Sequence, residues 1–84
     1  MDQIQIELKE YPAVVRFYRK KSGLSQKELA DLAGVGKTVV FDIEKGKKTI
    51  QLDTLLRLFS ILNIGVVMNG KLMMSYARSR NEKG

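Results

Sequence analysis

Leu24-Ser25-Gln26-Lys27-Glu28-Leu29-Ala30, followed by Ala33-Gly34-Val35-Gly36-Lys37, decides how this chain is read. Ser25 to Glu28 is an S-x-x-E capping box, in which the serine oxygen accepts the amide three residues on and the glutamate reaches back. The pattern predicts a helix that starts here, runs to Ala33 and stops at Gly34, a residue type that takes a left-handed backbone without steric cost. Gly34-Val35-Gly36 is then a three-residue turn, and a further helix over about Lys37–Lys45 ends at Gly46. Two short helices across a glycine-containing turn make a helix-turn-helix. Its packing needs are met in order. Ala30 is small where the helices must cross, and Leu29, Ala33, Val35, Val40 and Ile43 fall at core-facing spacings.

Working outward, Pro12 suits the first turn of a preceding helix, which carries Val14, Val15 and Tyr18 inward and stops at Gly23. Leu52–Leu62 predicts a fourth helix with Leu52, Leu55, Leu56, Phe59 and Leu62 on one stripe and Asn63 as its C-terminal cap. The period changes at both ends of the chain. Gln3–Leu8 alternates polar residues with Ile4, Ile6 and Leu8, the pattern of a half-buried strand. Ile64–Met68 is rich in β-branched residues, Asn69-Gly70 is a two-residue hairpin signal, and Lys71–Met74 can return as a second strand. The expected fold is mainly α: one domain over residues 1–76, four helices with the recognition unit at 25–46, a short C-terminal β-hairpin or strand at 64–75 and a candidate N-terminal strand. Residues 77–84 read as a disordered basic tail.

Composition narrows the chemistry. The 84 residues contain neither cysteine nor histidine, which removes disulfides, thiolate or imidazole metal sites and catalysis built on either side chain. No metal, no cofactor and no enzymatic activity are expected. The net charge of +6 favours a polyanionic partner. Arg16–Lys48 holds nine basic residues against four acidic ones, so most of the surplus lies around the helix-turn-helix. No charged-then-apolar leader opens the sequence, and Asp53, Arg57 and Asn63 interrupt the most apolar stretch, so a cytoplasmic protein without membrane contact is expected. Gly36-Lys37-Thr38 matches the end of a phosphate-binding loop. The glycine required five residues before that Gly-Lys pair is Asp31, and a helix precedes where a strand is needed. Asp42 and Glu44, two apart on a helix, point to different sides and make no carboxylate pair.

Taken together, Leu24 to Ala30, Gly34-Val35 and Ile43-Glu44-Lys45-Gly46-Lys47 resemble the Cro/phage-repressor-like, or XRE, helix-turn-helix family over about Val15 to Leu62. The resemblance implies that the third helix lies in the major groove of DNA. It also implies an ion pair between a helix 1 arginine and a glutamate near the end of helix 3, here Arg19 and Glu44. Gly36 departs from the serine or threonine usual as the helix 3 cap, at a cost of only a few tenths of a kcal/mol. Family members typically continue with a fifth helix. The strand-like tail of this chain instead resembles the HipB-like antitoxins, in which a terminal strand helps join two subunits, and this implies a HipA-like kinase toxin as protein partner.

On a wheel of helix 3, Val40, Ile43 and Glu44 share the packed side, while Thr38, Asp42 and Lys45 lie opposite. Lys37, Thr38, Val39 and Asp42 are the candidate base contacts: a donor to guanine, a phosphate or thymine-methyl contact, an apolar contact to thymine methyls, and an acceptor for cytosine N4. Asp42 can equally be a solvated surface charge. Phe41 is expected to be partly buried against helix 2 or the following loop. Candidate phosphate contacts are Gln26, Lys27, Lys45, Lys47 and Lys48, with Lys37 and either Arg16 or Lys20 beside them. A domain this small leaves apolar surface to cover, and Leu58, Ile61, Val66, Val67, Leu72, Met73 and Met74 are the candidate dimer contacts. The expected function is a homodimeric repressor of antitoxin type on a palindromic operator. The alternatives are a phage or mobile-element repressor without a toxin partner, and a protein-binding module that does not bind DNA.

Overall fold

The computed structural model describes the backbone of residues 4–82 and the side chains of residues 4–80. A 3-10 turn at Leu8–Glu10 leads into five helices: α1 Tyr11–Lys21, α2 Gln26–Ala33, α3 Lys37–Glu44, α4 Leu52–Ile61 and α5 Met73–Glu82. The capping box forms in full: the Glu28 amide donates to Ser25 Oγ at 3.0 Å, and the Ser25 amide donates to Glu28 Oε1 at 2.8 Å. Gly34 ends α2 with φ 71°, where a Cβ would meet backbone strain, and the Val35 amide returns to the Ala30 carbonyl at 3.0 Å. This closure turns the chain sharply enough to send α3 across α2. Asn63, expected as the cap of α4, lies one residue beyond the cap Leu62 and takes a left-handed φ of 64°.

α2 packs on both α3 and α4, and α1 packs on α3. Val15, Leu29, Val40, Ile43 and Leu58 are the largest fully buried side chains, and Ala30, Ala33, Leu55, Phe59 and Leu62 complete the core. Ala30 is buried where a larger side chain would push α2 off its partners, as its small size implied.

Two helices present different faces from those the sequence pattern gave. On α1, Tyr18 was expected inward but is 42% exposed, and Arg19 takes the buried place beside it. On α4, the buried stripe is Leu55, Leu58, Phe59 and Leu62, while Leu52 and Leu56 face out. Leu58, expected at a subunit contact, is 0% exposed and belongs to the core. Positions 55, 58, 59 and 62 follow the three-and-four spacing of one helix face, whereas Leu52 sits at the first turn, beyond the edge of the body.

The strands do not form among the described residues. Residues 64–70 run without regular structure, and Asn69-Gly70 opens into α5 rather than a hairpin. At the other end, Ile4–Glu7 lacks regular structure and Leu8 enters the 3-10 turn; Gln3 lies outside the described residues. A lone two-stranded hairpin is marginal in water, whereas a helix satisfies its backbone within one segment. The segment after Gly70 takes the local solution. The segment expected to be a disordered tail continues α5 to Glu82, and residues 83–84 lie outside the description. α5 stands off the four-helix body, leaving Leu72, Met74 and Tyr76 exposed. None of the described helices is long and apolar enough to cross a membrane.

The two α4 faces make opposite predictions for equal deletions. Leu58→Ala should lose about 2–5 kcal/mol of stability by cavity formation. Leu52→Ala, at a side chain 65% exposed, should change the urea midpoint little. Equal losses in the two variants would mean that α4 is rotated from this arrangement.

Candidate nucleic-acid interface

The interface is organised by one buried ion pair. Arg19 donates from Nε to Glu44 Oε2 at 2.6 Å and from Nη2 to Glu44 Oε1 at 3.0 Å, a two-pronged contact between α1 and the end of α3. Its remaining nitrogen, Nη1, donates to the Leu24 carbonyl at 2.8 Å and fixes the α1–α2 loop. Gln26 Nε2 adds a 3.2 Å bond to Glu44 Oε1. The two charged side chains are only 10% and 5% exposed, and no buried side-chain nitrogen or oxygen among the described residues lacks a partner. Burial pushes the Glu44 carboxyl up, but the hydrogen bonds from Arg19 and Gln26 and the charges of Arg19 and Arg16 outweigh it, so it titrates below the ordinary carboxylate range. The Glu44 hydrogen bond and charge raise the Arg19 guanidinium further above its already high value, against a smaller effect of burial.

Around this clamp the sequence-derived contacts fall into distinct groups. Lys37 and Thr38 are exposed at the start of α3, held there by Gly36 without a side-chain cap. Val39, expected to reach thymine methyls, is half-buried and packs against the core, because its side of α3 turns toward the body. Asp42 is half-buried and lies 3.6 Å from Lys47 Nζ, while the Lys47 amide closes onto the Asp42 carbonyl at 3.0 Å. One candidate base contact and one candidate phosphate contact thus neutralise each other. Exposed pairs of this kind contribute about 0–1 kcal/mol, so Lys47 can exchange its carboxylate for another anion at little cost. Lys27 is similarly paired with Asp31 at 2.9 Å, one turn along α2.

Lys45 and Lys48 are exposed and, among the described residues, carry no ion pair. The Lys45 ammonium sits 5.3 Å from the centroid of the Phe41 ring, which is 46% exposed rather than tucked under α2. Gln26, expected at a phosphate, has its side-chain amide engaged with Glu44. The amides of Gln26 and Lys27 still head α2, where helix geometry leaves them without intrahelical partners.

Three contacts were not read from the sequence. Tyr11 Oη donates to the Lys47 carbonyl at 2.8 Å and ties the loop after α3 to the start of α1. Gln26 braces Glu44, and Lys45 stacks on Phe41. Only the last carried a local signal, a lysine one turn after an aromatic residue.

Comparison with known proteins fits this geometry. The helix-turn-helix family pattern matches residues 15–67. An uncharacterised HTH-type transcriptional regulator of Sinorhizobium fredii is 41% identical over 54 residues, covering 64% of this chain and 71% of the relative. Control protein C.SmaI of Serratia marcescens is 36% identical over 52 residues, and the match covers 62% of each chain, under two thirds of that relative's length. Among solved structures, a chain of a HipA-HipB-O2-O3 complex shares the fold with a TM-score of 0.69 at 17% identity, covering 83% of this chain and 99% of that one. A HipB-O4 20mer complex gives 0.68 at the same identity and the same coverage.

Removing one partner of a buried pair leaves the other charge stranded, so Arg19→Ala should cost about 3–5 kcal/mol. An unchanged melting temperature in that variant would show that the pair holds nothing together. The Glu44 carboxyl is lower in the folded state than its ordinary 4.5. Its contribution is therefore complete above that pH and is lost as the pH falls through the folded value. A stability titration from pH 6 downward should steepen below about 4.5, and Glu44→Gln should flatten that limb.

Proposed function

The chain belongs to the XRE-type helix-turn-helix family of DNA-binding transcriptional regulators, whose members act by binding DNA rather than by catalysis, and from that premise we propose that it is a homodimeric, sequence-specific repressor of the HipB-like antitoxin type. The observation that carries the proposal is the rigid presentation of α3. Its start exposes Lys37 and Thr38, its end is locked by Arg19 and Glu44, and Lys45 and Lys48, without an ion pair among the described residues, follow it. An eight-residue helix is about 12 Å long, enough to lie along a major groove and read a few base pairs.

In this reading Lys37 and Thr38 address base edges. Asp42 joins them once Lys47 turns to a phosphate, and Val39 supports α3 from behind. The backbone amides of Gln26 and Lys27 and the side chains of Lys27, Lys45, Lys47 and Lys48 contact phosphates. These contacts set position and affinity, whereas the base edges set sequence. So short a readout needs a second copy, and two α3 helices about 34 Å apart match one turn of a palindromic site. The exposed Ile61, Val66, Val67, Leu72 and Met74, with the half-exposed Met73, supply apolar surface for that dimer. The fold shared with HipB, which occurs in a complex with HipA, supports a HipA-like kinase as protein partner. The sequence likeness to control protein C.SmaI favours a second reading, a regulator with no toxin partner. A kinase-length reading frame next to the gene supports the first; its absence supports the second.

In a mobility-shift titration, Lys37→Ala should relax preference at one base position by about 1–3 kcal/mol. Lys48→Ala should weaken all sequences alike and lower the slope of log K against log salt by about one unit. Similar behaviour of the two would misassign the groove face. Deleting residues 65–84 should leave a monomer in sedimentation, with at most weak, non-specific binding; a truncated dimer that still protects a symmetric site would place the subunit contact elsewhere.

A further inference from the structure

One concave feature of the helix-turn-helix body has no role in the packing just described. A cleft lies between α1 and α3, lined by Arg16, Lys20, Phe41 and Lys45, with the Arg19–Glu44 pair and Gln26 also in its walls. Arg16 and Lys20 stand one turn apart on the same face of α1, and Lys45 approaches from the end of α3. All three are exposed, and among the described residues none has a carboxylate partner. The one carboxylate in the cleft, Glu44, already accepts from both Arg19 and Gln26. The cleft therefore carries a net charge of +3, and its one carboxylate is already held by Arg19 and Gln26.

Cations gathered around one concavity repel one another, and an anion seated among them relieves that repulsion. The guanidinium and the ammonium groups offer several N–H donors to two or more oxygens. Phe41 gives the same cleft an apolar wall, its ring half exposed and met on one side by the Lys45 ammonium. A phosphate beside an apolar ring of atoms is the repeating unit of a nucleic-acid backbone. The cleft also adjoins Gln26 at the start of α2, next to the helix that carries Lys37 and Thr38.

We propose that this cleft seats one backbone phosphate of DNA between Arg16, Lys20 and Lys45, with Phe41 packed on the adjoining deoxyribose. The assignment rests on the DNA-binding reading and adds α1 to the surface that touches the duplex. It makes Arg16 and Lys20 partners in a single phosphate contact rather than alternative candidates. Phe41 becomes a contact residue whose loss weakens binding without removing a charge.

The test is a phosphate-neutralisation scan on a duplex that the wild-type protein selects from a randomised pool. Each backbone position in turn carries a neutral methylphosphonate. One position in each half-site should weaken wild-type binding about tenfold, the scale of a hydrogen bond to a charged group. The Arg16→Gln/Lys20→Gln variant should bind the unmodified duplex correspondingly less well, yet lose nothing further at that position. Its salt slope should fall by about one unit for each phosphate released. Phe41→Ala should weaken binding with the slope unchanged. Both charged positions are exposed, so the variant should melt like the wild type.

If the variant loses as much as the wild type at every neutralised phosphate, the assignment is overturned. It is overturned equally if the scan is flat while inorganic phosphate, titrated without DNA, saturably shifts the Phe41 ring resonances; the cleft would then serve a free anion. A wild-type protein that binds no duplex at all would remove the DNA-binding reading and this assignment with it. Binding with an indifferent cleft removes the assignment alone.

Discussion

The placement of α3 against α1 and the start of α2 depends on the guanidinium of Arg19. All three of its nitrogens are committed, two to Glu44 and one to the Leu24 carbonyl, so a single side chain fixes the end of α3, the last turn of α1 and the loop that launches α2. A hydrophobic side chain could fill the same space. It could not fix direction, because apolar contact is indifferent to rotation whereas a two-pronged hydrogen bond is not. Taking two charges out of water is costly, and the cost is offset here because no buried side-chain nitrogen or oxygen among the described residues is left without a partner. The arrangement therefore contributes orientation more than net stability, and orientation is what a helix aimed at base edges needs.

The central part of the fold was legible because its signals are local or tied to fixed spacing. Ser25 and Glu28, Gly34, and the alternation of Leu29, Ala30 and Ala33 declare a helix, its end and its buried face within ten residues. Arg19 and Glu44 are twenty-five residues apart, and no local rule pairs them; the family resemblance did so, and the geometry agrees. The ends of the chain were misread for a physical reason. Short apolar runs such as Ile64–Met68 satisfy a strand or a helix about equally until tertiary partners choose between them. A strand needs a neighbour for its backbone, whereas a helix closes its hydrogen bonds within one segment. The segment after Gly70 takes the conformation that needs no neighbour, and its apolar side chains stay exposed.

The same limit applies at the site. Which residues lie on the outer face of α3 followed from periodicity. Which of them are already engaged did not, because Lys47 meets Asp42, and Tyr11 meets the Lys47 carbonyl, only after the loop folds back on α1. Val39 shows the complementary limit: a flanking position on a wheel is half-buried because its side of α3 packs against the core.

The Asp42–Lys47 contact has a consequence for selectivity. Its two charges are cheap to separate, but separating them leaves a carboxylate with no counterion beside a polyanion. In the DNA-binding mode proposed above, Lys47 would turn to a phosphate, and the cost of that step would depend on what faces Asp42. A cytosine amino group compensates for the lost ammonium; any base presenting only acceptors leaves the charge isolated. On that proposal backbone grip and base identity would be coupled through one exchange of partners, and a mismatched site would be penalised even where the protein makes no steric clash. The loop lysine that periodicity assigns to affinity alone would then take part in rejecting the wrong sequence.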